Sequence, residues 1–336
     1  MSLIARLLVM CCMSLLSLAS LAAPVNGLYQ VREAVLGQQA VEREQVLRQA
    51  LDTLVMRLSG DPAALENPAV IALREKPQRL ISQYAYDGNM LVVDFDPATS
   101  MQALREAGLP LWGADRPAVL VWWLNESARG SLLVGDTQES SALLRRAAQH
   151  RGLPVRVPLA DLSEQWVGTP SALSGKNLSA LRDASARYAA DVLLTVYARQ
   201  ARGSQWQAHW RLWHGEQLLQ GQVAGANPAV LNDAVLLAVQ QALAPLFVVR
   251  PGGEEVLTLV VSNVDLPRYA ELERLLEPFA PRLLRADGKV LTYRLKASAE
   301  QLRAQLALAR LQELPAAAVQ GDGVITEARA SVLRFH

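Results

Sequence analysis

The sequence predicts a multi-domain protein of mixed α/β and α+β class, built as three small modules with mixed sheets, the last of them ferredoxin-like with the order β-α-β-β-α-β. Three observations carry this expectation. Strand-like and helix-like apolar patterns alternate along the chain. Two stretches rich in Pro and Gly, Trp112–Pro117 and Pro251–Gly253, interrupt them. Between the breaks, Val119 to Leu124 is apolar at every position, as in a central strand buried on both faces. The implied division is residues 1–23 as a leader, 24–113 as an N-terminal α/β module, 114–250 as a three-layer α/β domain and 251–336 as the ferredoxin-like domain.

The leader reads as a secretory signal peptide. Arg6 precedes an apolar run from Leu7 to Leu21, too short to span a bilayer, and Ala22 and Ala23 supply small residues at the expected cleavage site. Cys11 and Cys12 lie within that run and are the only cysteines. A processed chain would therefore have no disulfide, no thiol nucleophile and no thiolate metal site. Its stability would rest on apolar burial, for which 51% hydrophobic residues against 19% charged are ample.

In the first module, Tyr29, Val31, Glu33 and Val35 alternate with Gln30, Arg32 and Ala34 as in a half-buried strand. Leu47, Leu51, Leu54, Val55 and Leu58 recur at helical spacing, and Gly60 and Pro62 stop the helix. Asp87-Gly88-Asn89 joins Leu80–Tyr86 to Met90–Phe95 as a hairpin. Asp96-Pro97 opens a second helix, with Asp96 as its cap.

The middle domain reads β-α-β-α-β-β-β-α. Its elements are Val119–Leu124, a helix over Ser140–Arg151, a short strand at Val155–Val157, a helix from about Asn177, the strand Val192–Tyr197, a hairpin of Trp206–Trp213 with Gln217–Val223, and a long helix from Pro228. The last domain has a strand at Val256–Val261, a helix from Pro267 and a hairpin through Asp287-Gly288. A helix capped by Ser298 with Gln301 and a closing strand from Ile325 to Phe335 complete it.

Several residues carry a resemblance: Leu58-Ser59-Gly60, Tyr84 with Tyr86, Val93-Asp94-Phe95-Asp96, Gly108-Leu109-Pro110, Trp112-Gly113 and Arg116-Pro117. On them the mature chain resembles an uncharacterised exported family of Gram-negative bacteria, domain of unknown function 2066. That resemblance implies residence in the periplasm and brings no activity or site residue. The stretch from Ala190-Asp191-Val192 to the Pro228 helix is also similar in element order to small periplasmic α/β domains. Examples are the amino-terminal domain of the Tol system's propeller protein and the lipoproteins that activate cell-wall synthases.

Formal net charge is +1, so no global field favours nucleic acid or an anionic membrane. Four of the 33 basic residues are Lys, and the arginines are scattered among Glu and Asp. The chain lacks a nucleotide-binding glycine fingerprint, a phosphate loop, a Gly-x-Ser-x-Gly elbow and a His-Glu-x-x-His helix. His209 and His214 fall on opposite faces of one strand, and His150 and His336 lie elsewhere, so no shared metal site or cofactor is expected. Asp94 and Asp96 read as strand and cap rather than as an acid–base pair. Ser171 and Ser174, beside Gly175 and Lys176, read as a loop before a helix.

Trp206, Ala208, Trp210 and Leu212 share one face of their strand, while His209, Arg211 and Trp213 share the other. That second face is the expected partner surface, with core packing as its alternative. The expected function is a non-enzymatic, envelope-associated periplasmic protein that binds an envelope partner as scaffold or regulator, with no nucleic acid and no stable membrane insertion. A small-molecule binder using an interdomain cleft, or a hydrolase with a site that no motif announces, are the alternatives.

Overall fold

A computed structural model describes residues 25, 27–175, 178–201, 203, 205–248, 255–279, 281–314 and 332–336. The leader with Ala22 and Ala23, the Pro251–Gly253 break and the start of the closing strand at Ile325 lie outside the described residues. The protein is of the α+β class, with three separate sheets, each antiparallel or mixed, and no closed barrel among the described residues.

The first sheet holds β1 (Gln30–Ala34), β2 (Ile81–Asp87) and β3 (Met90–Phe95) in the order β1-β3-β2, antiparallel throughout. Three helices accompany it: α1 (Ala40–Ser59), α2 (Pro68–Arg74) and α3 (Pro97–Glu106). The helical leucines of α1 are fully buried against Val31, Leu91, Val93 and Phe95, because the i, i+4 spacing places them on one stripe. Asp96 caps α3, its carboxylate accepting the Thr99 N–H at 2.8 Å. Asp94 remains in the strand and accepts side-chain amides from Gln30 and Gln83 at 2.8 and 2.9 Å.

The second sheet has six strands: β4 (Val119–Ser127), β5 (Gly130–Leu133), β6 (Val155–Arg156), β7 (Val192–Gln200), β8 (Trp206–His214) and β9 (Gln217–Gly225). Their order is β5-β4-β7-β8-β9, with β6 also pairing β4. β4 runs parallel to β6 and β7, and the remaining pairs are antiparallel. Helices α4 (Glu139–Arg151) and α8 (Pro228–Phe247) cover the face of Trp123, Val196, Trp210 and Leu212. Three short helices, α5 (Leu162–Val167), α6 (Pro170–Ser174) and α7 (Ser179–Ser185), cover part of the other face around Trp122 and Trp213. β5, α5 and α6 are additions to the expected order, and Ser171 and Ser174 stand on α6 rather than in a loop. α8 has the length and hydropathy of a membrane span, but half of its most apolar window is buried inside the protein.

The third sheet holds β10 (Glu255–Val261), β11 (Arg282–Asp287), β12 (Val290–Ala297) and β13 (Val332–Phe335) in the order β11-β12-β10-β13. Helices α9 (Leu266–Leu276) and α10 (Ala299–Leu308) complete the β-α-β-β-α-β sequence. β13 runs parallel to β10, and backbone bonds join its far edge to Gln312 and Leu314. The final crossover therefore returns through an added antiparallel edge segment.

The seam between the first two sheets is built from backbone termini. Gly60 ends α1 at φ +67°, and a Cβ there would lie 2.1 Å from the Ala244 Cβ on α8. Only glycine allows that left-handed cap to press directly on the neighbouring helix. Trp112 stacks on Phe247 with centroids 5.6 Å apart, and its backbone N–H donates to the Leu58 carbonyl at 2.6 Å.

Candidate functional site

The residues singled out on β8 separate in the structure. Trp213 is 8% exposed and packs among Leu120, Trp122, Leu173, Leu178 and Leu181. It belongs to the core on that side, because α6 and α7 lie over its half of the sheet. Arg211 is half-buried and donates to the Gly175 carbonyl at 2.6 Å, tying down the end of α6. His209 alone is exposed. It borders an open groove of about 500 Å³ with Tyr197, Gln220 and Gln222.

The aromatic that is available to a partner is a different one. Trp166 is 83% exposed, and Leu162, one helical turn earlier on α5, is 76% exposed. The i, i+4 spacing puts both on one side of the helix. A six-residue helix does not hold itself together in water. This one is pinned from its inner side. Asp161 caps it, accepting the Glu164 N–H at 3.0 Å and the Ser163 hydroxyl at 2.5 Å. Glu164, 1% exposed, accepts the Ala160 N–H at 2.7 Å and the Tyr188 hydroxyl at 2.5 Å, and pairs with Arg187. Arg187 also reaches Asp161 at 2.8 Å. The Ser163 and Arg187 hydrogen bonds hold the Asp161 carboxyl well below the usual range, while burial and the bond to Glu164 push the Tyr188 phenol up. A buried, fully bonded carboxylate thus fixes a helix whose outer side is Leu and Trp. Sequence reading passed over this segment, although Asp161-x-x-Glu164 has the spacing of a helix start.

The second polar assembly lies at the seam between the first two sheets. Arg57 on α1 donates Nε to the His150 carbonyl at 2.8 Å and Nη1 to the carbonyls of Leu28 and Gln30 at 3.0 and 2.7 Å. Arg116 lies over the Trp112 ring, 4.3 Å from its centroid, and donates to the carbonyls of Gly113, Gly152, Arg57 and Trp112. Burial pulls Arg57 down to about 10 and Arg116 to about 9, so both remain charged at neutral pH. These two cations are bound by carbonyls, not by carboxylates.

His150, in the last turn of α4, does more than face the helix dipole. Its Nδ1 lies 3.1 Å from Asp233 on α8 and its Nε2 3.3 Å from Glu33 on β1. Glu33 also accepts the Thr53 hydroxyl at 2.5 Å and the Gln49 amide at 3.2 Å. Asp233 accepts the Arg151 Nε at 2.9 Å. Beside this chain opens a cleft of about 690 Å³, bordered by Arg32, Asp87, Asn89, Arg146 and Asp233. The Thr53 hydroxyl is spent on Glu33 and does not touch the imidazole, so this cluster shows no nucleophile–base contact among the described residues. Among the described residues, no group of three or more His, Cys, Asp or Glu is arranged to hold a metal ion.

A family model described as Domain of unknown function (DUF8605) matches residues 22–113, the span of the first sheet and its helices. No curated protein matches the chain. The match fits the expectation of an uncharacterised family but corrects which one, since it is not domain of unknown function 2066 and it covers residues 22–113 rather than the whole chain after residue 23. The residues that suggested the latter are a helix C-cap, a strand, an N-cap and a seam, nearly all within 22–113. Such residues report how a module is built and carry no function by themselves.

Proposed function

We propose that this protein is an exported, envelope-associated binding protein that docks another envelope protein through the apolar outer side of α5. The observation that carries the reading is the pair Leu162 and Trp166, presented to solvent on a helix that a buried Glu164 holds rigid. Contiguous exposed apolar patches mark interaction sites, and tryptophan is enriched among the residues that dominate binding energy at interfaces. A rigid anchor loses little conformational entropy on binding, which favours a fixed Trp over a mobile one. The leader of residues 1–23 supports export, and the seam of Arg57 and Arg116 supports a scaffold role by joining first and middle modules into one platform.

The test is co-purification from cross-linked periplasm. The double change Leu162→Ala, Trp166→Ala should abolish recovery of the partner while leaving circular dichroism and thermal midpoint unchanged. Equal recovery from wild type and variant would refute the assignment, and recovery of the chain from the cytosol with its leader intact would refute export.

The cleft beside His150 favours a second reading, a small polar ligand held between modules, because Arg146 and Asn89 border it without serving the seam. Native mass spectrometry of the protein as purified would show such a ligand as added mass, and Arg146→Ala should remove it.

A further inference from the structure

The last strand of the six-stranded sheet, β9, ends it with an open edge. The two-residue turn Gly215-Glu216 closes the hairpin on the pair His214–Gln217. Odd-numbered residues of β9 therefore bond inward to β8, and the N–H and C=O of Leu218, Gln220, Gln222 and Ala224 point outward. Among the described residues no hydrogen bond reaches those outward groups.

Open edges are usually blunted by Lys, Pro, a bulge or a covering element. Among the described residues β9 has none of these. Its nine residues carry no charge and no proline, and its pairing with β8 runs without a register shift. Its central seven residues, 218–224, are also symmetric in chemical type. About Gly221, Gln220 mirrors Gln222, Leu219 mirrors Val223 and Leu218 mirrors Ala224. An isologous contact sets each position opposite its mirror, so on a two-fold axis these like, uncharged residues would meet without repulsion.

We infer that β9 pairs antiparallel with β9 of a second copy about a two-fold axis through Gly221, joining two six-stranded sheets into one. In this arrangement Gln220 and Gln222 of one copy face Gln222 and Gln220 of the other, and Leu218 faces Ala224. These are the outward positions, so each pair exchanges both of its N–H···O bonds. No charge meets a like charge, which distinguishes a second copy from an occupant that would need complementary charge.

The centre is shaped for close approach. A Cβ on Gly221 would lie 2.7 Å from Cζ2 of the Trp210 indole, so the indole lies directly over the glycine. The Trp210 Nε1 is buried without a hydrogen-bond partner among the described residues. Across the axis the two indoles roof a Gly221–Gly221 contact on one face. On the opposite face the grooves beside His209 and Gln222 run together into a single trough.

Sedimentation velocity over a range of concentrations tests this. The purified protein should show a monomer–dimer equilibrium. Gln220→Lys with Gln222→Lys sets lysines opposite lysines and should leave only monomer, with circular dichroism and thermal midpoint as in wild type. Gln220→Glu with Gln222→Glu should do the same. An equimolar mixture of the two variants pairs Lys with Glu at every mirrored position and should restore the dimer. Monomer at all concentrations of wild type, a dimer that survives the lysine pair, or a mixture that stays monomeric would each overturn the inference. Trp166→Ala should leave the equilibrium unmoved, which separates this edge from the partner surface on α5.

Discussion

His150 sits between two carboxylates, and its chemistry follows from counting protons. A neutral imidazole has one N–H, yet Asp233 and Glu33 each face a ring nitrogen at 3.1 and 3.3 Å. Only the imidazolium donates to both. The hydrogen bonds to Asp233 and Glu33 outweigh burial and raise its pKa above the ordinary histidine value. The ring also faces Arg151 from its own helix, and Arg57 from α1 binds its carbonyl. Arg32, Asp87 and Arg146 stand around the same cleft. Because the folded pKa is raised, the stabilisation is complete below about pH 6.5 and fades as pH rises through the folded value. Asp233 behaves in the opposite sense. Burial opposes its charge, but His150 and Arg151 prevail and hold it at about 2, so its contribution is lost only as pH falls towards that value. The thermal midpoint should therefore decline from pH 6 to pH 8.5, and His150→Gln should flatten that slope. Arg57→Met strips donors from three carbonyls and should cost about 3 kcal/mol or more in chemical denaturation.

At the scale of elements, Trp213 and Trp166 differ in burial, the first packed in the core and the second in solvent. Trp213→Ala opens a cavity beneath α6 and α7 and should cost about 3–5 kcal/mol, whereas Trp166→Ala should change stability by no more than about 0.5 kcal/mol. Denaturant titration of the two variants decides between them. Strand alternation correctly put Trp213 on the second face of β8, but which helices cover that face depends on contacts far away in sequence. The long elements were legible for physical reasons. Val119–Leu124 declared a central strand by its unbroken apolarity, α1 by its leucine stripe, and the first-module hairpin by Asp87-Gly88. β5, α5 and α6 were not legible, because four to six residues are too few for a period to repeat. The pairing of His150 with Glu33, 117 residues away, has no local signature at all.

Across the whole molecule, the first and middle modules meet through buried Arg–carbonyl bonds and the Gly60–Ala244 contact, while the third adds its own sheet. A rigid platform displays two features the fold does not need for its own cores: the apolar outer side of α5 and the uncharged edge of β9. Binding at α5 underlies the proposed function. Its most direct measurement is site-specific photo-cross-linking in intact cells, with the reactive group placed in turn at position 166 and at position 71, an exposed isoleucine of the first module. A discrete adduct with a second protein is expected from position 166 and none from position 71. Adducts of equal yield from both positions, or none from position 166, would contradict binding at α5.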